Sequence, residues 1–87
     1  MNDLEIVEII NTALARELEL DPARLTPEAS LFDDLELDSL DLVDMVIVLE
    51  QAFNFKIREE EEVRSIRTLG DIHQFVIRKK HHLEGNS

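Results

Sequence analysis

The 87-residue sequence contains no cysteine, tryptophan or tyrosine, and only two glycines and two prolines. Without cysteine the chain has no disulfide, no thiolate metal site and no cysteine nucleophile. This excludes a disulfide-stapled secreted scaffold and predicts a cytoplasmic protein. No apolar stretch approaches the roughly 20 residues of a membrane span, so we expect no membrane crossing.

Positive charge is also scarce. Twenty acidic residues against nine basic ones give a formal charge of −11, which opposes binding to nucleic acid and predicts basic partners. Residues 25–55 contain no Lys or Arg, and their acids are Glu28, Asp33, Asp34, Glu36, Asp38, Asp41, Asp44 and Glu50. An acidic run of this length repels itself, and its cost in stability indicates a functional use.

Motifs of catalysis and metal binding are absent. There is no glycine-rich phosphate loop, no HExxH, and no GxSxG around any serine, so we predict that the protein is not an enzyme. The three histidines, His73, His81 and His82, are interpreted as solvated side chains. The acids of residues 33–44 lack the alternation and central glycine of an EF-hand loop, so no metal site is predicted.

The first half of the chain predicts one helix and a long loop. The helix should run from about Asp3 to Leu18, with Asn2 and Glu5 as a capping pair and an apolar repeat at Leu4, Val7, Ile10 and Leu14. Two prolines then break the pattern, which indicates short helical turns. Apolar anchors argue against disorder in this loop: Leu20, Leu25, Leu31, Phe32, Leu35 and Leu37.

A second helix is predicted over Ser39–Phe53. Asp38 suits its N-cap, and Asn54 suits a left-handed residue after its end. The core stripe of this helix should be Leu42, Met45, Leu49 and Phe53.

The remaining sequence predicts a short third helix within Glu59–Arg64 and a last helix that begins at Thr68 and Asp71. The apolar face of the last helix is Leu69, Ile72, Phe75 and Val76. We interpret residues 1–80 as one domain and residues 81–87 as a disordered tail. The fold class is therefore all-α, an irregular up-down four-helix bundle of three longer helices and one short one, with a long first loop.

The second helix carries a further apolar set that its core stripe does not explain. Leu40, Val43 and Ile47 recur three and four residues apart, flanked by the acids Asp41 and Asp44. The set either widens the buried stripe or forms an exposed face. Both interpretations are open at this stage.

The segment LFDDLELDSLDLVDMVIVLEQAFNFKI, residues 31–57, resembles the attachment region of acyl and peptidyl carrier proteins. The order of the helices and the long first loop extend this resemblance over most of the chain. It implies that Ser39, after Asp38, carries 4′-phosphopantetheine from coenzyme A. A helix start suits a phosphodiester, although serine is also an ordinary residue at helix starts.

The resemblance also implies partners and a pathway. A phosphopantetheinyl transferase, and enzymes that load, elongate or transfer acyl groups, would bring basic patches to Leu40, Asp41, Val43, Asp44 and Ile47. The expected function is a free-standing, monomeric acyl carrier of fatty acid or lipid biosynthesis. The alternatives are a carrier of polyketide, aminoacyl or lipopolysaccharide acyl groups and, in another class, a helical protein-interaction domain without a prosthetic group.

One position departs from the family pattern. Carrier proteins commonly have glycine three residues before the modified serine, where this chain has Glu36. A left-handed backbone would cost Glu36 about 1 kcal/mol or more, so we expect a different local turn here.

Overall fold

The computed structural model describes residues 2–57 and 65–85. Its elements are three α-helices and one 3₁₀ turn: α1 at Asp3–Glu17, the turn at Pro22–Arg24, α2 at Ser39–Phe53 and α3 at Leu69–Gly85. The predicted all-α class is confirmed. The short helix predicted within Glu59–Arg64 lies outside the described residues. In the described part of the chain, none of the helices has the length and apolarity that a bilayer crossing requires.

Reciprocal hydrogen bonds begin α1 and α3, as the sequence predicts. At α1, Glu5 N donates to Asn2 Oδ1 over 2.8 Å, and Asn2 N donates to Glu5 Oε1 over 2.9 Å. At α3, Asp71 N donates to Thr68 Oγ1, and Thr68 N donates to Asp71 Oδ2. Hydrogen bonds from the backbone N–H groups of Arg67 and Thr68 lower the pKa of Asp71. These bonds satisfy donors that the helices cannot pair.

All three helices and the first loop contribute to one apolar core. Its fully buried members are Ile6, Ile10, Leu14, Leu31, Met45, Leu49, Leu69, Ile72 and Val76. On α1 the buried stripe is Ile6, Ile10 and Leu14, which confirms the last two predicted positions. The first predicted position was wrong, because Leu4 is exposed and Ile6 is buried. The predicted faces of α2 and α3 are buried, except that Leu42 is only half-buried.

The long first loop is tied to the start of α3. Leu31 N donates to Arg67 O, Leu69 N donates to Ala29 O and Gly70 N donates to Pro27 O, over 3.0, 3.0 and 2.9 Å. Buried leucines anchor the same loop: Leu25, Leu31, Leu35 and Leu37. Phe32 is an exception among the predicted anchors, because it is exposed.

His73 corrects the prediction of three solvated histidines. Its side chain is buried on α3, and its Nε2 lies 2.8 Å from Asn11 Oδ1 on α1. Because an amide oxygen only accepts, the imidazole proton belongs on Nε2. Burial lowers the pKa of His73 by disfavouring the charged ring. The sequence analysis assigned His73 to solvent because sequence spacing does not show the hydrogen bond to Asn11 that permits a polar ring to be buried.

We expect the buried histidine to make stability depend on pH. A histidine whose folded-state pKa is lowered contributes stability above its unfolded pKa of about 6.5, and this contribution is lost as pH falls below that value. The wild type should therefore lose more stability than His73→Gln between pH 7 and pH 5. Urea unfolding of both proteins at each pH measures the difference. Parallel pH profiles would contradict the assignment, because the carboxylates titrate in both proteins.

The end of the chain also differs from the prediction. The last helix continues to Gly85, so residues 81–85, which we assigned to a disordered tail, are helical. Arg78, Lys79 and Lys80, followed by Leu83 and Glu84, are residue types of high helix propensity, which favours continuation of the helix beyond its apolar face. His81 Nε2 also lies 2.9 Å from Asp3 Oδ1 on α1, which ties the extension to the bundle. The division of the chain at residue 80 stays a prediction.

Candidate functional site

Ser39 is the first residue of α2, and its side chain is exposed. Asp38 caps the helix, as predicted: its Oδ1 accepts from Asp41 N over 2.9 Å, and its own N–H donates to Asp41 Oδ2 over 3.0 Å. The capping pair fixes where the helix begins. It therefore also fixes the direction in which the first-turn side chain of Ser39 leaves the bundle.

The chain reaches Ser39 through a tight reversal at Glu36. Leu35 and Leu37 are both buried, and Leu37 N donates to Leu31 O over 2.9 Å. Glu36 lies between them with φ 55°, in the left-handed region. The prediction of a different turn was wrong, because two neighbouring leucine anchors require this reversal despite its cost to a residue with a side chain.

The start of α2 fits a phosphodiester on Ser39. An exposed hydroxyl is open to a modifying enzyme, and the first-turn N–H groups and the helix dipole favour an anion. The Asp38 carboxylate already accepts one of these donors, from Asp41. Asp38 therefore stabilises the start of α2.

Exposed apolar residues continue from Ser39 along α2. Leu40, Val43 and Ile47 have exposed fractions of 76 %, 57 % and 46 %, whereas Met45 and Leu49 are buried. The choice left open by the sequence is thereby decided: this set is an exposed face and does not widen the core stripe. We call Leu40, Val43 and Ile47 the apolar strip.

The sequence of this chain is similar to those of known proteins. Residues 8–76 match the family described as "Phosphopantetheine attachment site". The chain is 44 % identical over 72 residues to acyl carrier protein 2 of Ralstonia nicotianae, covering 83 % of this chain and 88 % of that one. It is 38 % identical over 79 residues to the acyl carrier protein of Thermosynechococcus vestitus, covering 91 % and 96 %. The chain belongs to the acyl carrier protein family. A third relative, the acyl carrier protein of Syntrophobacter fumaroxidans, is 43 % identical over 77 residues, covering 88 % and 89 %.

Membership in the acyl carrier protein family settles the general role. The protein is a carrier and not an enzyme, and its prosthetic group is 4′-phosphopantetheine. A carrier of this family interacts with the enzymes that modify it and with those that handle its cargo. The absence of cysteine is consistent with this role, because the arm brings its own thiol.

The carboxylates near Ser39 of this carrier differ in their availability. Five acids lie within five residues of Ser39. Those of Asp34, Asp38 and Asp41 accept backbone N–H groups. Those of Glu36 and Asp44 make no hydrogen bond or ion pair within residues 2–57 and 65–85. Of these five carboxylates, those of Glu36 and Asp44 are therefore the two without a bond to the described residues.

We expect charge reversal at Asp41 and Asp44 to affect stability differently. Asp41→Lys removes one half of the helix cap and places a positive charge at the positive end of the dipole, which should cost about 1 kcal/mol or more. Asp44→Lys should stay within about 0.5 kcal/mol of the wild type, because Asp44 is exposed and makes no hydrogen bond or ion pair with the described residues. Urea unfolding of the two variants measures this, and equal losses would contradict it.

No metal centre accompanies this site in the part of the carrier that the structure describes. There, the side chains of His, Asp and Glu form no group of three or more that would hold an ion. The acids of residues 33–44 are spread over a loop and a helix, and three of them are engaged with backbone donors.

Proposed function

We propose that this carrier holds acyl groups as thioesters on a 4′-phosphopantetheine arm attached to Ser39. The observation that carries the proposal is the exposed Ser39 hydroxyl at the capped start of α2, within the segment that matches the attachment family. The cargo class follows the names of the relatives, which are acyl carrier proteins. A thioester is the bond that the arm's thiol would form with an acyl group.

A phosphopantetheinyl transferase would attach the arm, with coenzyme A as donor and Mg²⁺ as counterion. Ser39 Oγ would form the new bond to phosphorus while the bond to the adenosine bisphosphate leaving group breaks. The leaving group takes the electron pair, and the hydroxyl proton passes to a base of the transferase. The carrier contributes an accessible nucleophile and the positive end of α2 beside the phosphate.

The docking surface that we propose for the transferase and the acyl-handling enzymes is the exposed side of α2. The apolar strip supplies contact area that a partner can desolvate, and Asp44 supplies a free negative charge beside it. Asp41 belongs to the predicted surface, but its carboxylate is engaged in the cap. Asp41 therefore contributes to docking mainly through the negative electrostatic potential of this surface, and less through direct contact with the partner.

Fatty acid or lipid biosynthesis is the pathway that we propose, with monomeric function in the cytoplasm. The named relatives are acyl carrier proteins without a stated specialised cargo. Carriers of polyketide, aminoacyl or lipopolysaccharide acyl groups remain the alternatives, since the same attachment chemistry serves each cargo. A helical interaction domain without a prosthetic group does not agree with the family.

Intact mass measurement tests the attachment directly. The purified carrier is incubated with coenzyme A, Mg²⁺ and a broad-specificity phosphopantetheinyl transferase. We expect a gain of one phosphopantetheine per chain, and peptide mapping should locate it on the segment that contains Ser39. A chain that gains no mass while a known carrier in the same tube is modified would refute the proposed function.

A further inference from the structure

Two exposed glutamates of this chain have the same unusual backbone. Glu19 and Glu36 lie in the left-handed region, with φ 53° and 55°. At Glu19 the end of a helix explains the conformation, because Leu20 N bonds back to Ala15 O over 3.0 Å and closes α1. At Glu36 the conformation places a charged side chain on the approach to Ser39, where glycine would serve the reversal at lower cost.

Glu36 is also one of the two carboxylates within five residues of Ser39 that make no hydrogen bond or ion pair in the described part of the chain. The cap holds Asp38 and Asp41, the loop holds Asp34, and Asp44 lies beyond the first turn of α2. Of these two carboxylates, Glu36 is the one that precedes Ser39. The buried leucines on both sides restrain its backbone, so a partner that binds it would order less of the loop.

We propose that Glu36 is a specificity-determining residue for the modification of Ser39. Its carboxylate contacts a cationic side chain of the phosphopantetheinyl transferase, at the rim of the pocket that holds the phosphates of coenzyme A. The inference rests on the proposed attachment at Ser39. A transferase must bring positive charge to that pocket to hold its anionic donor. Residues 25–55 of the carrier contain no Lys or Arg, and the Arg24 guanidinium, which reaches the same loop, donates to Asp34 O and not to Glu36.

Steady-state kinetics on matched variants test the proposal, with coenzyme A, Mg²⁺ and one purified broad-specificity transferase. Glu36→Gln should lower kcat/KM about two- to fivefold at low ionic strength, through a higher KM at unchanged kcat, as expected for one exposed charge contact. The difference should shrink from 0.01 M to 0.1 M salt, where the Debye length falls from about 30 to about 10 Å. Glu19→Gln, with the same charge loss and backbone conformation, should match the wild type.

Glycine variants separate the charge from the backbone. Glu36→Gly and Glu19→Gly should both raise the melting temperature, because glycine adopts the left-handed backbone conformation without the steric cost of a side chain. Only Glu36→Gly should also raise the KM of the transferase reaction. A purely structural role for Glu36 would change melting and leave KM alone.

The outcomes are distinguishable from failure of the attachment site. Equal KM for Glu36→Gln and the wild type at low salt overturns the specificity role, and so does an equal rise in KM for Glu19→Gln, which would indicate a general charge effect. In both cases the modification of Ser39 stands. A wild type that gains no phosphopantetheine refutes the attachment, and the specificity role falls with it.

Discussion

Ser39→Ala should gain no mass on incubation with coenzyme A, Mg²⁺ and a phosphopantetheinyl transferase, under conditions in which the wild type is converted completely. The reason is chemical: alanine removes the only oxygen that can form the phosphodiester at this position. Intact mass measurement over a time course compares the two proteins. We expect the loss to be complete, because no neighbouring side chain replaces the hydroxyl at the start of α2.

The fold of the Ser39→Ala variant should persist, so that the loss cannot be attributed to unfolding. Asp38 and Asp41 form the cap, and Ser39 contributes no side-chain bond to it. Alanine also has the highest helix propensity. Circular dichroism and thermal melting should therefore match the wild type within the effect of an ordinary surface substitution, about 0.5 kcal/mol.

Ser30→Ala provides a matched control for the modification of Ser39. Ser30 lies in the first loop, half-buried, with its Oγ accepting from Asp33 N over 3.2 Å. This variant should gain one phosphopantetheine like the wild type. Modification of Ser39→Ala at the wild-type extent would sink the assignment of the site, whatever the behaviour of Ser30→Ala.

The second large effect is expected from two neighbouring apolar residues on opposite sides of α2. Leu49→Ala should destabilise the carrier by about 2–5 kcal/mol, because Leu49 is almost fully buried and its loss leaves a cavity. Ile47→Ala should cost well below that, because Ile47 is 46 % exposed. In a domain of this size each kcal/mol shifts the melting temperature by about 4–8 °C, so melting separates the two variants.

Ile47→Ala, which should change stability little, should have a clear effect on partner binding. Ile47→Ala removes part of the apolar strip, and desolvated apolar contacts mainly determine how long a complex lasts, so the dissociation rate from the transferase should rise. Asp44→Lys should instead slow association and weaken its dependence on salt. Rapid-mixing kinetics on both variants measure the two rates. If Ile47→Ala unfolds the protein, Ile47 is a core residue and the docking surface is wrongly placed.

Features determined by short sequence distances could be predicted well. The capping pairs of α1 and α3, the bounds of α2 and the left-handed Asn54 all depend on residues within one helical turn of each other. Such contacts involve little loop entropy and recur with the same residue types. The motif around Ser39 is equally local, but it indicated the candidate site only together with the resemblance to carrier proteins over most of the chain.

Where the prediction failed, distant parts of the chain compete with a local preference. At Glu36 the anchoring of Leu35 and Leu37 in the core outweighs the glutamate's aversion to a left-handed backbone. At His73 a hydrogen bond to Asn11, 62 positions away, permits burial of a polar ring that the sequence pattern placed in water. Leu35 and Leu37 were predicted as anchors, but the backbone conformation that their burial requires at Glu36, and the pairing of His73 with Asn11, depend on the tertiary fold.

By itself the sequence determined the three described helices, through helical periodicity and capping residues, and its resemblance to carrier proteins over most of the chain implied the carrier class and the candidate serine. The tertiary structure alone decided which carboxylates near Ser39 are free and which apolar residues of α2 face outward. Exposure and engagement are properties of the packed bundle, since a side chain is buried or bonded only by what the rest of the fold brings against it.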